Sequence, residues 1–345
     1  MSGSLFAVAR ALAFVLLALV LCGAIFELAG YSSLSMFQNI AEGAFASPEA
    51  LLNSLGWALP LFVIAAGVVV SFRCGYFNVG AQGQFYIGAI GSAFAVEWLN
   101  GAPAFIVIPA AILAGMAAGL LWAAWPGLLR IRSGTDEVIT TLMANFIAGL
   151  VLIYVTSGPL KDPSGTGQVT ASRPIAALYR ISDSGGVSPA IIGLVVVSGV
   201  LIWVLVNRTA FGVLSSLAGR NPVMVGWQGG RLARLGLAGF LVSGAFAGLA
   251  GAIELLGPQG RLVSGFLPAE GFTAILIALV AGLSVTGVAV VSLFFGGLAA
   301  ASLYLPVIAG LPAAAIDIIN AAIALFITAR AWPRGLGLRR VRRAP

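Results

Sequence analysis

Histidine is absent from the 345 residues, and lysine occurs once, at Lys161. Without histidine there is no His-based nucleophilic catalysis and no imidazole metal site. The single lysine does not lie in a GxxxxGK pattern, so the chain carries no phosphate-binding loop of its own for ATP hydrolysis. Cys22 and Cys74 lie in or beside apolar runs and make neither a disulfide framework nor a metal-ligand spacing. Charge is scarce: 8% of residues are charged, against about 25% in soluble domains. No cluster of catalytic residue types occurs, which leaves a membrane enzyme little support.

Hydrophobic residues make up 60% of the chain, so most of its surface must face lipid. The 45 glycines are about twice the usual share and are spread along the chain. Small residues at helix contacts let backbones approach closely, which suits an all-α polytopic bundle. The isoelectric point of about 10.1 reflects arginines at the ends of apolar runs. That is a topology signal, with membrane lipid rather than nucleic acid as the partner.

A helix needs about 20 apolar residues to cross the hydrocarbon core. Runs of that order cover residues 11–26, 51–72, 77–96, 103–129, 138–158, 187–207 and 235–253. The first has no convincing cleavage site after it and reads as a retained span. Residues 271–316 are one uncharged run, too long for one crossing; 282–287 is a natural turn, and Pro306 to Pro312 marks a second break. A last span covers 313–329. The count is about ten transmembrane helices within a single transmembrane domain over 1–345. With both termini cytoplasmic, fourteen arginines fall inside, against Lys161, Arg173, Arg180 and Arg261 outside. The outer loop is 159–186, the inner loop 208–234, and the basic tail 330–345. Residues 258–270 form a possible re-entrant segment, with Pro268 suited to the first turn of a half-helix.

Residues 73–84 break two apolar runs with an arginine, three glycines, Asn78, Gln82 and Gln84. Irregular polar backbone at membrane depth requires protein or a water-filled cavity around it, and it points to a substrate path. The alternative is an ordinary surface loop. In the inner loop, Asn221 before Pro222 reads as an N-cap with proline at the first helical position. A short helix then carries Val223, Met224 and Val225 and ends near Gly226. It forms an apolar knob flanked by arginines, fit for a soluble partner, or else a surface turn meeting lipid phosphates.

Residues 75–84, GYFNVGAQGQ, resemble the GxFNIGAEGQ signature of permease subunits from nucleoside-type ABC importers, a group that also serves simple sugars and branched-chain amino acids. Four further stretches agree in order: TDEVITTLMANFIA at 135–148, GPLKDP at 158–163, GRNP at 219–222 and SGAFAGLAGA at 243–252. One departure is Gln82, where that family has glutamate; it removes a buried negative charge and its tie to Arg73. The resemblance implies a transport subunit of the bacterial inner membrane rather than an enzyme. It implies a second, usually different, permease chain, a cytoplasmic ATPase with two cassettes that uses ATP and Mg, and a periplasmic or lipoprotein receptor. It places ATPase coupling on Gly219, Arg220, Asn221, Pro222, Val223, Met224 and Gly226.

Within the membrane, Phe77, Asn78, Gln82, Gln84, Asn145, Glu270 and Phe272 are the expected lining of the path. Amides donate and accept toward hydroxyls and base edges, and aromatic rings stack on a flat base. Each amide could equally tie helix to helix. Glu97 and Glu254 are expected at the interface, and Asp317 in a structural hydrogen bond. Two rivals remain: the same machine carrying a simple sugar or other small polar metabolite, and an ion-coupled transporter using Asp317 and Glu254.

Overall fold

A computed structural model describes residues 17, 19–28, 30–164, 170–182, 187–264, 270–308 and 316–322. They are overwhelmingly helical, and β-structure among them is limited to two isolated bridges, Lys161 with Ser172 and Ala171 with Val263. Two units emerge, 42–301 and a smaller one of 1–41 with 302–345.

The helices of the larger unit start where the local chemistry says they should. α3 (Pro48–Arg73) opens on Ser47, whose hydroxyl accepts from Ala50 N at 3.0 Å, with proline at the first position. α4 (Ala81–Trp98) follows the broken segment, and α5 (Ala104–Ser133) ends on Gly134 in the left-handed region at φ 65°. α6 (Glu137–Ser157) is capped by Asp136, which accepts from Val138 N and Ile139 N at 2.8 and 3.2 Å. α7 (Pro189–Arg208) repeats the serine–proline start at Ser188. α8 (Ala210–Arg220) and α9 (Pro222–Trp227) fill the 208–234 loop. α10 (Leu232–Glu254), α11 (Glu270–Val280) and α12 (Val285–Ile308) complete the set, the last crossing the boundary between units.

Six of these, α3, α5, α6, α7, α10 and α12, are long and apolar enough to cross a membrane by length and composition. α4 has 18 residues and starts at Ala81, so the span expected from 77 loses its first four residues to the break. α11 has 11 residues, about 16 Å at 1.5 Å each, roughly half the hydrocarbon thickness. The expected turn between spans falls between Val280 and Val285, where Gly282 and Leu283 both take positive φ. Pro306 lies inside the last turn of α12, and residues 309–312 of the expected break lie outside the described residues. Pro268 lies outside the described residues.

α10 is the axis of the unit, packed on α3, α4 and α5. The contacts depend on missing side chains. A Cβ on Gly248 would meet the Gly115 carbonyl, one on Gly119 the Gly244 carbonyl, and one on Gly88 the backbone of Gly248. Three helices therefore touch backbone to backbone along one seam.

The described part of the 159–186 loop is stitched to the segment that follows α10. Ser172 N donates to Leu262 O at 2.8 Å, Ile175 N to Gly260 O at 2.7 Å and Arg180 Nη2 to Gly257 O at 3.0 Å. Asp162, on this loop, accepts from Ser164 N and Oγ, which holds its carboxyl below the usual carboxylate value.

In the smaller unit, α1 (Leu19–Leu28) is followed by the start of α2 (Ser33–Phe45), and Glu27 accepts from Ser33 N and Oγ at 2.9 and 2.8 Å. The expected last span lies largely outside the described residues, although 316–322 are helical. Asp317 is exposed there with no partner among the described residues, so the expected structural hydrogen bond is not seen.

Candidate functional site

The chain leaves α3 at Arg73 and re-enters helix at Ala81, and the segment between is held by side chains from four other places in the sequence. α6 presents a polar stripe at fourth-residue spacing, Glu137, Thr141 and Asn145. Phe77 N donates to Glu137 Oε1 at 3.4 Å, and Val79 N to Thr141 Oγ1 at 3.3 Å. Asn145 Oδ1 accepts from Gly83 N at 2.8 Å, while its Nδ2 donates to Val79 O at 2.9 Å. Glu137 is itself fixed by Arg130, 3.2 Å away.

Asn78 is 0% exposed. Its Nδ2 donates to Gln84 Oε1 at 2.8 Å and to Ser243 Oγ of α10 at 3.0 Å; its Oδ1 accepts from Gly80 N and Gln84 Nε2, each at 3.0 Å. Gln82 Oε1 accepts from Gly271 N at 2.6 Å, the start of α11. Two helix beginnings are thus capped by amides borrowed from neighbours: Asn145 caps α4 and Gln82 caps α11. A Cβ on Gly271 would strike the Gln82 backbone, so the two starts touch.

The seven expected path residues therefore fall into three groups. Asn78, Gln82, Gln84 and Asn145 are buried and bonded to protein. Phe77 and Phe272 are about half exposed. Glu270 is buried, and neither carboxylate oxygen is hydrogen-bonded among the described residues. Gln82 is directed to Gly271 at the start of α11. Glu254 is buried and accepts from Gln259 Nε2 at 3.1 Å; Glu97 is partly exposed and pairs with Arg173 at 3.0 Å.

The inner-loop helix forms where the Asn–Pro step put it, but Asn221 gives no side-chain cap. Val223, Met224 and Gly226 are exposed together with Arg220, Asn221 and Pro222. Val225 instead turns inward, into a cluster with Cys74, Ala218 and Leu235. The helix closes on Trp227, next to the expected end near Gly226, and that residue, 81% exposed, is its largest apolar group. The cluster brings α8 against the break, since Cβ atoms on Gly75 and Gly219 would contact Ala218 O and Arg73 O respectively.

Thr141, Glu137 and Ser243 were missed by the sequence reading. The first two were signalled by their spacing with Asn145; Ser243 carries no local signal. Among the described residues no group of three acidic or cysteine side chains could hold a metal.

Residues 50–328 match the family described as branched-chain amino acid transport system / permease component. The chain is 31% identical to the guanosine ABC transporter permease protein NupP of Bacillus subtilis, over 91% of this chain and 90% of that one. It is also 31% identical to the glucose ABC transporter permease protein TsgB13 of Haloferax volcanii, over 85% and 78%. With the nucleoside ABC transporter permease protein NupB of Lactococcus lactis it shares 26%, over 90% and 88%. A second permease from each of the two bacteria, NupQ and NupC, matches at 25% and 24%. No solved structure matches the chain. A family match over residues 50–328, with 31% identity to a permease across nine-tenths of both chains, decides the matter: this chain belongs to the branched-chain amino acid transport system permease component family.

Proposed function

We propose that the chain is the membrane-spanning permease subunit of an ABC importer for nucleosides. The likeness to a guanosine permease across nine-tenths of both chains carries that reading. The occurrence of two different permeases in each of two related bacteria supports a heterodimer with a second permease chain. The engine is a separate cytoplasmic ATPase that binds ATP and Mg, and a receptor delivers cargo from outside. The chain forms one permease domain of about ten crossings in the bacterial inner membrane, with both termini cytoplasmic.

In this reading the ATPase grips Arg220, Asn221, Pro222, Val223, Met224, Gly226 and Trp227. Movement of α9 passes through Val225 to Cys74, only four residues from Asn78. The Asn78 network then moves α4, α6 and α10 as one piece. Phe77 and Phe272 offer rings for base stacking and Glu270 a polar contact, while Asn78, Gln82, Gln84 and Asn145 hold the polar segment that lines the path.

The glucose permease likeness favours a sugar as the second reading. Competition uptake in cells carrying the whole importer separates the two. Purine or pyrimidine nucleosides should block uptake of labelled nucleoside while ribose and glucose do not; the reverse pattern replaces the first reading with the second.

A further inference from the structure

One buried group at the start of α11 has no hydrogen-bond partner among the described residues. Glu270 is 3% exposed, and neither of its carboxylate oxygens is paired there. The amide at the same helix start is engaged, Gln82 with Gly271 N. Glu254, the acid that interacts with Glu270 electrostatically, has Gln259.

The position suits an acceptor. Glu270 occupies the first turn of an 11-residue helix, and that helix start touches the start of α4. Two N-terminal ends place partial positive charge beside the carboxyl group. Those ends supply a favourable field but no donor, and a buried polar group without a partner is destabilising. A carboxylate can accept at two adjacent oxygens, and so matches two neighbouring N–H or O–H donors.

We propose that Glu270 is the specificity-determining residue of the cargo site, accepting two hydrogen bonds from adjacent donors on the cargo. The inference rests on the nucleoside reading and names the chemistry that reading leaves open. A nucleoside offers two such donor pairs: the cis-diol of ribose, and the N1–H with the 2-amino group of guanine.

The test uses the complete importer and labelled guanosine, inosine, adenosine and 2′-deoxyguanosine, with wild type and Glu270→Gln. The glutamine keeps the shape but turns one acceptor into a donor. Guanosine uptake should fall about 5- to 150-fold, the discrimination a two-bond contact gives. If Glu270 meets the base edge, wild type shows a comparable loss on inosine and adenosine, and the variant no longer separates them from guanosine. If it meets the diol, 2′-deoxyguanosine takes that place. An unchanged ranking of the four, or one uniform loss across all, overturns the proposal by reducing Glu270 to a structural role. Co-purification with the ATPase monitors assembly. Should Glu270→Gln not assemble, Glu270→Asp is measured in its stead, where a carboxyl drawn back by one methylene must change the same ranking for the proposal to stand. Wild type importing none of the four defeats the nucleoside reading itself; import with unaltered ranking defeats only the role of Glu270.

Discussion

At the scale of single residues, the amides beside the break act first as backbone partners. Asn145 is the clearest case, because one side chain satisfies an N–H of the incoming α4 and the carbonyl of Val79. Replacing it by leucine leaves two buried backbone groups without partners, each worth about 1–3 kcal/mol. Asn145→Leu should therefore lower the melting temperature of the purified complex markedly, while Asn207→Leu on the exposed end of α7 leaves it unchanged. Full stability with uptake lost would instead make Asn145 a cargo contact and remove it from the scaffold. Asn78→Leu is the harsher change, since four hydrogen bonds meet on that one amide. Its loss of uptake should come with loss of assembly.

At the scale of elements, what the sequence revealed depended on how local the cause was. The turn near Gly282 was legible because glycine, serine and threonine interrupt a long apolar run, and the α9 start because Pro222 follows Asn221. α8 was not legible. It forms because Thr209 accepts from Gly212 N and because Phe211, Leu214, Leu217 and Ala218 pack around Cys74, a residue remote in the chain. The polar network escaped for the same reason, as its members stand at 78, 141, 145, 243 and 271. Two predictions belong here. Trp227→Ala removes the exposed apolar tip of α9; if the ATPase grips it as an aromatic anchor, binding should weaken about 30-fold, with substrate-dependent ATP hydrolysis falling in step. Unchanged hydrolysis and uptake would take the docking role away from α9. Gly248→Leu drives a side chain into the α5 backbone, where nothing flexible can yield. It should abolish accumulation of the protein in membranes, while Gly193→Ala, where an added Cβ meets nothing within 4 Å, should accumulate normally.

For the whole molecule the remaining question is where the energy comes from. An ion-coupled transporter needs acidic groups able to take up and release an ion as the path alternates. Glu254 is buried and held by Gln259, and Asp317 is exposed, with no partner among the described residues. The α9 knob has the opposite character: it is outward-facing, apolar, bordered by Arg220, and packed through Val225 directly under the break. A handle so placed is useful to a motor outside the chain. Uptake by the full importer should then survive an uncoupler for as long as ATP is maintained, and should disappear when the phosphate-binding lysine of the partner ATPase is replaced. The same cells should label a cysteine placed at Arg220 only from inside and one placed at Lys161 only from outside. Uptake that collapses with the proton gradient at constant ATP, or labelling with the sides exchanged, would mean that the knob faces no motor and that Glu254 has to be reconsidered as an ion carrier.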